Sequence, residues 1–215
     1  MKLDKERVKE AMLLYAVTDS RWATDKPLLE QIEDAIKGGV SCVQLREKDL
    51  NPVSFLEEAF EVKFLCSKYG VPFIIDDSLE IALKVGADGV HIGQSDIELK
   101  RVKEIVGDEI IVGVSAGNLE EALEAERNGA DYLGVGAVFE TGTKLDAKAI
   151  DRAVFEEICQ KTSIPVVAIG GITKENMPSL KNSGADGVAL VSAIFSSNDI
   201  EATCRELKEI AERTF

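Results

Sequence analysis

The amino-acid sequence predicts an α/β fold, a single-domain (β/α)8 TIM barrel in which parallel strands alternate with helices. Short β-branched runs alternate with longer amphipathic segments along the chain, and this order implies parallel strands joined by right-handed crossovers. The triplet Gly-Ala-Asp recurs at 86–88, 129–131 and 184–186, each time between a helix and the next strand. Residues 1–215 are therefore expected to form one barrel domain, with 1–11 as a short N-terminal helix.

Eight strand–helix units account for the chain. The strands are expected at 13–18, 40–45, 72–76, 89–92, 110–115, 132–138, 165–169 and 187–191. The helices are expected at 27–37, 52–69, 79–85, 97–106, 119–128, 150–162, 174–182 and 200–213. The glycine of each Gly-Ala-Asp triplet lies just past a helix, where a left-handed cap is favoured, so the triplets are interpreted as structural.

Composition excludes several classes of function. Lysine and arginine number 25 against 39 acidic residues, so the net charge is −14, which argues against a general nucleic-acid binder. The four cysteines form no C-x-x-C pair and are expected to be reduced thiols. Residues 1–10 do not resemble a signal peptide, and no apolar run reaches the ~20 residues that span a bilayer. We expect a cytoplasmic protein without membrane partners, and the sequence leaves open a homo-oligomer.

The stretch Gln44-Leu45-Arg46-Glu47-Lys48 ends the second predicted strand, at the rim where a parallel barrel keeps its chemistry. Strand alternation sends Gln44 and Arg46 to one face and Leu45 to the other. Arginine suits bidentate contact with a phosphate or carboxylate, and lysine acts as a point charge. The stretch indicates an anion site, and a surface salt-bridge cluster is the alternative.

Carboxylates follow the next two strands. Asp76 and Asp77 end the third strand, and Asp96 follows the fourth. Because these strands are neighbours, Asp77 and Asp96 can converge, and two carboxylates together with substrate phosphates suit Mg²⁺. The alternative is a pair of helix N-caps, since both positions precede helices.

Later loops add groups that bind anions. Ser115 ends the fifth strand, and the hydroxyl-rich turn at 141–144 with its lysine follows the sixth. Gly170-Gly171 and Ser192 follow strands seven and eight, where many barrels bind a phosphate. His91 is interpreted as a packing residue without a catalytic role. One large and one small anion site, without an obvious base, indicate a reaction in which an anionic group leaves.

Taken together, these motifs resemble the thiamine-phosphate synthase family over nearly the whole chain. The resemblance is carried by 44–48, by Gly-Val-His-Ile-Gly-Gln-Ser-Asp at 89–96, by 134–136 with Thr-Gly-Thr-Lys at 141–144, and by 167–172. It implies a Mg²⁺-dependent transferase of thiamine biosynthesis. Such enzymes join a hydroxymethylpyrimidine diphosphate to a thiazole phosphate and release diphosphate through a pyrimidine-methyl cation.

The resemblance also implies roles for individual residues. The pyrimidine diphosphate is expected to contact Gln44, Leu45, Arg46, Glu47, Lys48, Asp76, Ser115 and Lys144. The thiazole phosphate is expected to contact Thr141, Gly142, Thr143, Gly171, Val191 and Ser192. Arg46, Lys48, Ser115 and Lys144 are the expected catalytic residues, and Asp77 and Asp96 the expected Mg²⁺ ligands.

Two departures from the family pattern stand beside the third strand. The family usually has Asn-Asp-Arg where this chain has Asp76-Asp77-Ser78, so an amide donor and a cation are missing. The alternatives are a thiazole tautomerase-like protein, a non-catalytic ligand-binding homologue and a generic phosphate-binding isomerase. The tautomerase branch relies on a histidine after strand five, where this chain has Gly117, and usually has a histidine in place of Gln44.

Overall fold

A computed structural model describes residues 4–23, 26–140 and 149–215 and confirms the predicted fold class. Eight parallel strands close into a barrel in the order β1 to β8, and β8 pairs with β1. The strands are β1 (Leu14–Val17), β2 (Cys42–Leu45), β3 (Phe73–Asp76), β4 (Gly89–Ile92), β5 (Ile111–Ala116), β6 (Tyr132–Gly136), β7 (Val166–Ile169) and β8 (Gly187–Leu190). Each pairs in register with its sequence neighbour, so the C-terminal ends of all eight strands lie on one rim.

Helices surround the barrel. The helices are α1 (Lys5–Ala11), α2 (Leu28–Lys37), α3 (Pro52–Tyr69), α4 (Leu79–Val85), α5 (Leu99–Val106), α6 (Leu119–Arg127), α7 (Arg152–Lys161), α8 (Ser192–Phe195) and α9 (Ile200–Thr214). No helix in the described part of the chain is long and apolar enough to cross a membrane.

Two apolar clusters form the core. The larger lies between strands and helices and contains residues such as Leu45, Phe73 and Phe155. The smaller fills the barrel interior, where Val8 and Ala11 of α1 pack against inward-facing side chains of the strands. Helix α1 therefore lies against one end of the barrel, and the opposite rim is left for polar side chains.

The Gly-Ala-Asp triplets join strands in pairs at the N-terminal end of the barrel. In each triplet the aspartate carboxylate accepts a hydrogen bond from the backbone N–H of the first or second residue of the preceding strand, and Ser41 does the same for the first pair. The acceptors are Ser41 for Leu14 (2.8 Å), Asp88 for Phe73 (2.9 Å), Asp131 for Val112 (2.8 Å) and Asp186 for Val166 (2.8 Å). The structural interpretation of the triplets is confirmed.

One predicted helix is wrong. The segment expected as a helix at 174–182 forms only a 3-10 turn at Met177–Leu180. Pro178 lacks a backbone N–H, and the Asn176 side chain accepts a hydrogen bond from the Thr173 N–H (2.8 Å), so a turn replaces the first helical hydrogen bonds. The short helix α8 was not predicted either, because four residues carry no periodic pattern.

We expect Asp186→Ala to lower the free energy of unfolding by roughly 1–3 kcal/mol, because the Val166 N–H loses its acceptor at the start of β7. Chemical denaturation measures this loss. Glu209→Ala is the control, since it removes an exposed carboxylate from α9. Equal stability of the two variants would show that the triplet does not clamp the strands.

Candidate active site

The C-terminal rim of the barrel opens into a cavity of about 690 Å³. Its described lining includes ten of the residues that the sequence singles out. They are Gln44, Arg46, Lys48, Asp76, Asp77, Asp96, Ser115, Gly171, Val191 and Ser192. The structure therefore brings residues from six strands and their loops into one site, as expected for the functional end of such a barrel.

Six of the expected contacts are not part of this described lining. Leu45 points the opposite way from Gln44 and packs in the strand–helix core, as strand alternation requires. Glu47 is also buried outside the cavity lining, at 8% exposure. Any contact of these two residues with a ligand in the cavity would use the backbone. Thr141, Gly142, Thr143 and Lys144 lie outside the described residues.

Arg46 and Lys48 supply positive charge to one side of the cavity. The Arg46 guanidinium lies 3.7 Å from a carboxylate oxygen of Asp19 and 3.7 Å from one of Asp76. The Lys48 ammonium lies 3.5 Å from the Asp76 carboxylate and donates a hydrogen bond to Asp77. The backbone N–H of Arg46 donates to Thr18 Oγ1 at 2.9 Å, and this bond fixes the backbone where the strand ends. Both cations are therefore balanced by carboxylates and positioned at the rim.

Asp77 and Asp96 converge, as their neighbouring strands predict. Burial raises the pKa of Asp77, but hydrogen bonds with Lys48 and Asp96 outweigh this effect and lower it below its usual value. Burial and the hydrogen bond to Asp77 raise the pKa of Asp96. The Gly93 N–H also donates to Asp96 at 2.7 Å. The two carboxyl groups are hydrogen-bonded to each other, and both line the cavity.

The helix-cap alternative for these carboxylates is wrong. The N-cap residue of α4 is Ser78, whose hydroxyl accepts from the Ile81 N–H at 3.3 Å, and α5 begins after Glu98. Asp77 itself has φ of 59°, in the left-handed region that non-glycine residues adopt at a cost of about 1 kcal/mol or more. Its carboxylate is turned toward Lys48 and Asp96 in this conformation.

Asp76 stands where the family usually has an amide. Burial, with the nearby charge of Asp77, raises the pKa of Asp76 to about 6, although Lys48 and Arg46 favour its ionised form. Near neutral pH this side chain therefore exchanges between a carboxylate and a protonated acid. The protonated acid can donate a hydrogen bond, as an amide can.

Two glycines without side chains form the side of the cavity that lies across from Arg46 and Lys48. Gly170 and Gly171 have φ of 98° and 64°, so both occupy the left-handed region. A Cβ atom on Gly170 would lie 2.5 Å from the Cβ of Ala137, and one on Gly171 would lie 2.9 Å from the carbonyl carbon of Phe139. Glycine is therefore required here both for its backbone conformation and for close packing against the loop after β6.

The sequence does not reveal the hydrogen bonds that connect a group of polar side chains inside the barrel. Gln44 Nε2 donates to the Tyr15 hydroxyl at 2.8 Å, and the hydroxyls of Tyr15 and Tyr132 are 2.9 Å apart. His91 bridges Tyr132 and Ser115, with 2.9 Å from Nδ1 to the Tyr132 hydroxyl and 2.9 Å from Nε2 to Ser115 Oγ. Strand alternation could have placed these side chains inside the barrel, but not their contacts across it.

Comparisons with known proteins show which family the chain resembles. The family model described as thiamine monophosphate synthase matches residues 14–194. A thiamine-phosphate synthase of Ruminiclostridium cellulolyticum is 51% identical over 197 residues, which cover 92% of this chain and 94% of the relative. Another, of Clostridium botulinum, is 50% identical over 196 residues, with 91% and 92% covered. The structure of thiamine phosphate pyrophosphorylase from Pyrococcus furiosus superposes with a TM-score of 0.90 at 38% identity, covering 97% of this chain and 99% of that one.

Glu47 gives a pH-dependent prediction. Burial, with the nearby charge of Glu58, raises its pKa from 4.5 to about 7. Between these values the folded state keeps a proton that the unfolded state releases, so stability falls as pH rises across this window. We expect Glu47→Gln, which mimics the protonated form, to gain about 1–2 kcal/mol of stability relative to wild type between pH 5 and pH 8. Partial solvation reduces the ~3 kcal/mol that the full shift represents.

Denaturant unfolding at both pH values measures this gain. Glu57→Gln, on an exposed position of α3, is the control and should show no such pH dependence. An equal pH dependence in Glu47→Gln and wild type would mean that Glu47 is ionised throughout the range.

Proposed function

The chain belongs to the thiamine monophosphate synthase family, and we propose that it condenses two phosphorylated heterocycles to thiamine phosphate. The substrates are 4-amino-2-methyl-5-(diphosphooxymethyl)pyrimidine and 4-methyl-5-(2-phosphooxyethyl)thiazole, and diphosphate is the leaving group. The reaction makes the enzyme a transferase. One observation supports this function above the others: two cations and a converging carboxylate pair line the same cavity.

The residues fit a bound Mg²⁺ if the substrate completes its coordination. Within the described residues no group of three or more His, Cys, Asp or Glu side chains could hold a metal by itself. Two carboxylates and the oxygens of a diphosphate make the kind of oxygen site that Mg²⁺ prefers. We therefore assign Asp77 and Asp96 as its protein ligands. A bound Mg²⁺ would neutralise negative charge on the departing diphosphate.

The side chains of this site favour a dissociative substitution. The bond between the pyrimidine methylene carbon and the diphosphate oxygen breaks first, and the departing diphosphate keeps the electron pair. Arg46 and Lys48 stabilise the charge that develops on the leaving group, and we expect Lys144 to do the same. The thiazole nitrogen then donates its lone pair to the methylene cation and forms the new C–N bond. No step requires a strong base, in agreement with the sequence.

The thiazole phosphate is assigned to the opposite side of the cavity. Gly171, Val191 and Ser192 line it there, and the left-handed glycine backbone leaves room for a phosphate to approach. Thr141, Gly142 and Thr143 complete this proposal from the sequence. This arrangement would place the second substrate across from Arg46 and Lys48, with the reacting atoms between the two anion sites.

The residues that line this site favour the synthase over the competing functions. Gly117 and Gln44 line the cavity where the tautomerase branch has histidines. A non-catalytic homologue would not need a paired carboxylate site beside Lys48. A cytoplasmic location and assembly as a homo-oligomer stay predictions, and light scattering of the purified protein tests the assembly.

The proposed function is tested by diphosphate release from the purified protein with both substrates, with and without Mg²⁺. We expect release that requires the thiazole phosphate and the metal, accompanied by thiamine phosphate detected by mass spectrometry. Product formed equally well in EDTA would remove the metal from the mechanism. If the folded protein binds both substrates but forms no product, the synthase assignment is wrong.

Asp96→Asn should raise the Mg²⁺ concentration for half-maximal rate by roughly tenfold or more, which corresponds to ~1.4 kcal/mol of lost binding. Asparagine keeps an oxygen for the Gly93 N–H, so the loop should retain its conformation. Asp49→Asn is the control, because it removes an exposed carboxylate outside the described cavity lining. A Mg²⁺ titration gives both values. Identical titration curves for Asp96→Asn and wild type would argue against Asp96 as a ligand.

A further inference from the structure

Five polar side chains form a continuous hydrogen-bond chain inside the barrel. In order they are Gln44 of β2, Tyr15 of β1, Tyr132 of β6, His91 of β4 and Ser115 of β5. Barrel interiors are usually packed with branched apolar residues. Placing polar groups there destabilises the fold unless each is hydrogen-bonded, so a continuous chain through the interior indicates a function.

Two glycines make room for this chain. A Cβ atom on Gly113 of β5 would collide with the Tyr132 ring, which passes over this position to reach His91. A Cβ on Gly134 of β6 would lie 3.1 Å from Cε1 of His91. Tyr132 is fully buried and its ring centroid lies 5.5 Å from that of His91. The neighbouring strands thus leave space for one particular placement of the two rings.

The hydrogen bonds have a direction. The Gln44 amide nitrogen can only donate, so the Tyr15 hydroxyl accepts from it and gives its own proton to Tyr132. Burial raises the pKa of both phenols well above the usual value, so both keep their protons. Tyr132 can then donate to Nδ1 of His91, and a neutral imidazole in this arrangement carries its proton on Nε2. Nε2 then donates to Ser115 Oγ.

We propose that His91 and Tyr132 are positioning residues that fix the Ser115 hydroxyl as a hydrogen-bond donor to the bound pyrimidine diphosphate. Because Ser115 accepts from His91, its own proton stays available for an acceptor atom in the cavity that it lines. Tyr132 borders the cavity but has 0% exposure, and its hydroxyl contacts His91, so we assign its effect on the substrate to His91 and Ser115. The inference rests on the proposed function for its substrate, whereas the direction of the chain is independent of it.

The direction can be measured without any substrate. The sequence contains one histidine, so tag-free protein labelled with ¹⁵N-histidine gives imidazole NMR signals from His91 alone. We expect the pattern of a neutral ring protonated at Nε2, and a change of that pattern in Tyr132→Phe. A ring protonated at Nδ1, or a spectrum that Tyr132→Phe leaves unchanged, would overturn the proposal.

Kinetics test the role of His91 with a matched pair of variants. The His91→Gln amide nitrogen lies near the Nε2 position and can still donate to Ser115, whereas the shorter His91→Asn side chain cannot reach it. We expect His91→Asn to lower kcat by roughly 10–100-fold. His91→Gln should recover most of this loss, and the KM for the thiazole phosphate should stay within about twofold. Equal losses in the two variants would contradict a role in donation.

A double-mutant cycle separates positioning from general destabilisation. If His91 acts through Ser115, adding His91→Asn to Ser115→Ala should reduce kcat no further, because the hydroxyl that it orients is already gone. Multiplying losses would overturn the proposal. Denaturation of each variant verifies that it is folded at the assay temperature, and Tyr132→Phe replaces His91→Asn if the latter is not. A wild-type protein that makes no thiamine phosphate would refute the proposed function. The NMR result would still decide the direction of the hydrogen bonds from Gln44 to Ser115.

Discussion

Closure of the parallel barrel is the constraint on which the rest of this structure depends. All eight strands run in one direction, so their C-terminal ends meet at one rim and residues far apart in sequence become neighbours. The opposite rim is tied by Ser41 and the triplet aspartates, and α1 packs against the interior there. Structural and functional polar residues are thereby separated to the two ends of the barrel. The triplet aspartates precede strands and bond to strand backbone, whereas the site carboxylates follow strands and contact Arg46 and Lys48.

A chain with a net charge of −14 still places two cations at one cavity, and nearby charges act more strongly there than distant ones. Arg46 and Lys48 lie within 4 Å of Asp76, and Lys48 also bonds to Asp77. Without substrate, the carboxylates hold both cations in place. An arriving diphosphate would compete for them, and a metal on Asp77 and Asp96 would release Lys48 to the diphosphate. Under the proposed function, the carboxylates would organise the cations before substrate binds and the metal after it.

Sequence patterns predicted the barrel and ten of the residues that line its cavity, because strand alternation and barrel order decide which residues reach the rim. Gln44 and Asp96 are correctly placed by these rules alone. The rules failed where local hydrogen bonds compete with a helix, as at Met177–Leu180. They also failed where the role of a side chain depends on a partner across the barrel. His91 resembled a packing residue because neither Tyr132 nor Ser115 is its neighbour in sequence, and only the closed barrel brings the three together.

The hydrogen-bonded side chains inside the barrel also explain why Gly113 and Gly134 lie on the adjacent strands β5 and β6. Glycine weakens a strand because it has no side chain to pack, so two such positions lower stability unless something else fills the space. Here the rings of Tyr132 and His91 fill it, and their polar atoms continue to Ser115. The barrel interior therefore contains less apolar packing, and its hydrogen bonds hold the Ser115 hydroxyl beneath the proposed substrate site. A donor that is held in one orientation before the substrate arrives needs no reorganisation during the reaction, and this is where fixed hydrogen bonds contribute most to catalysis.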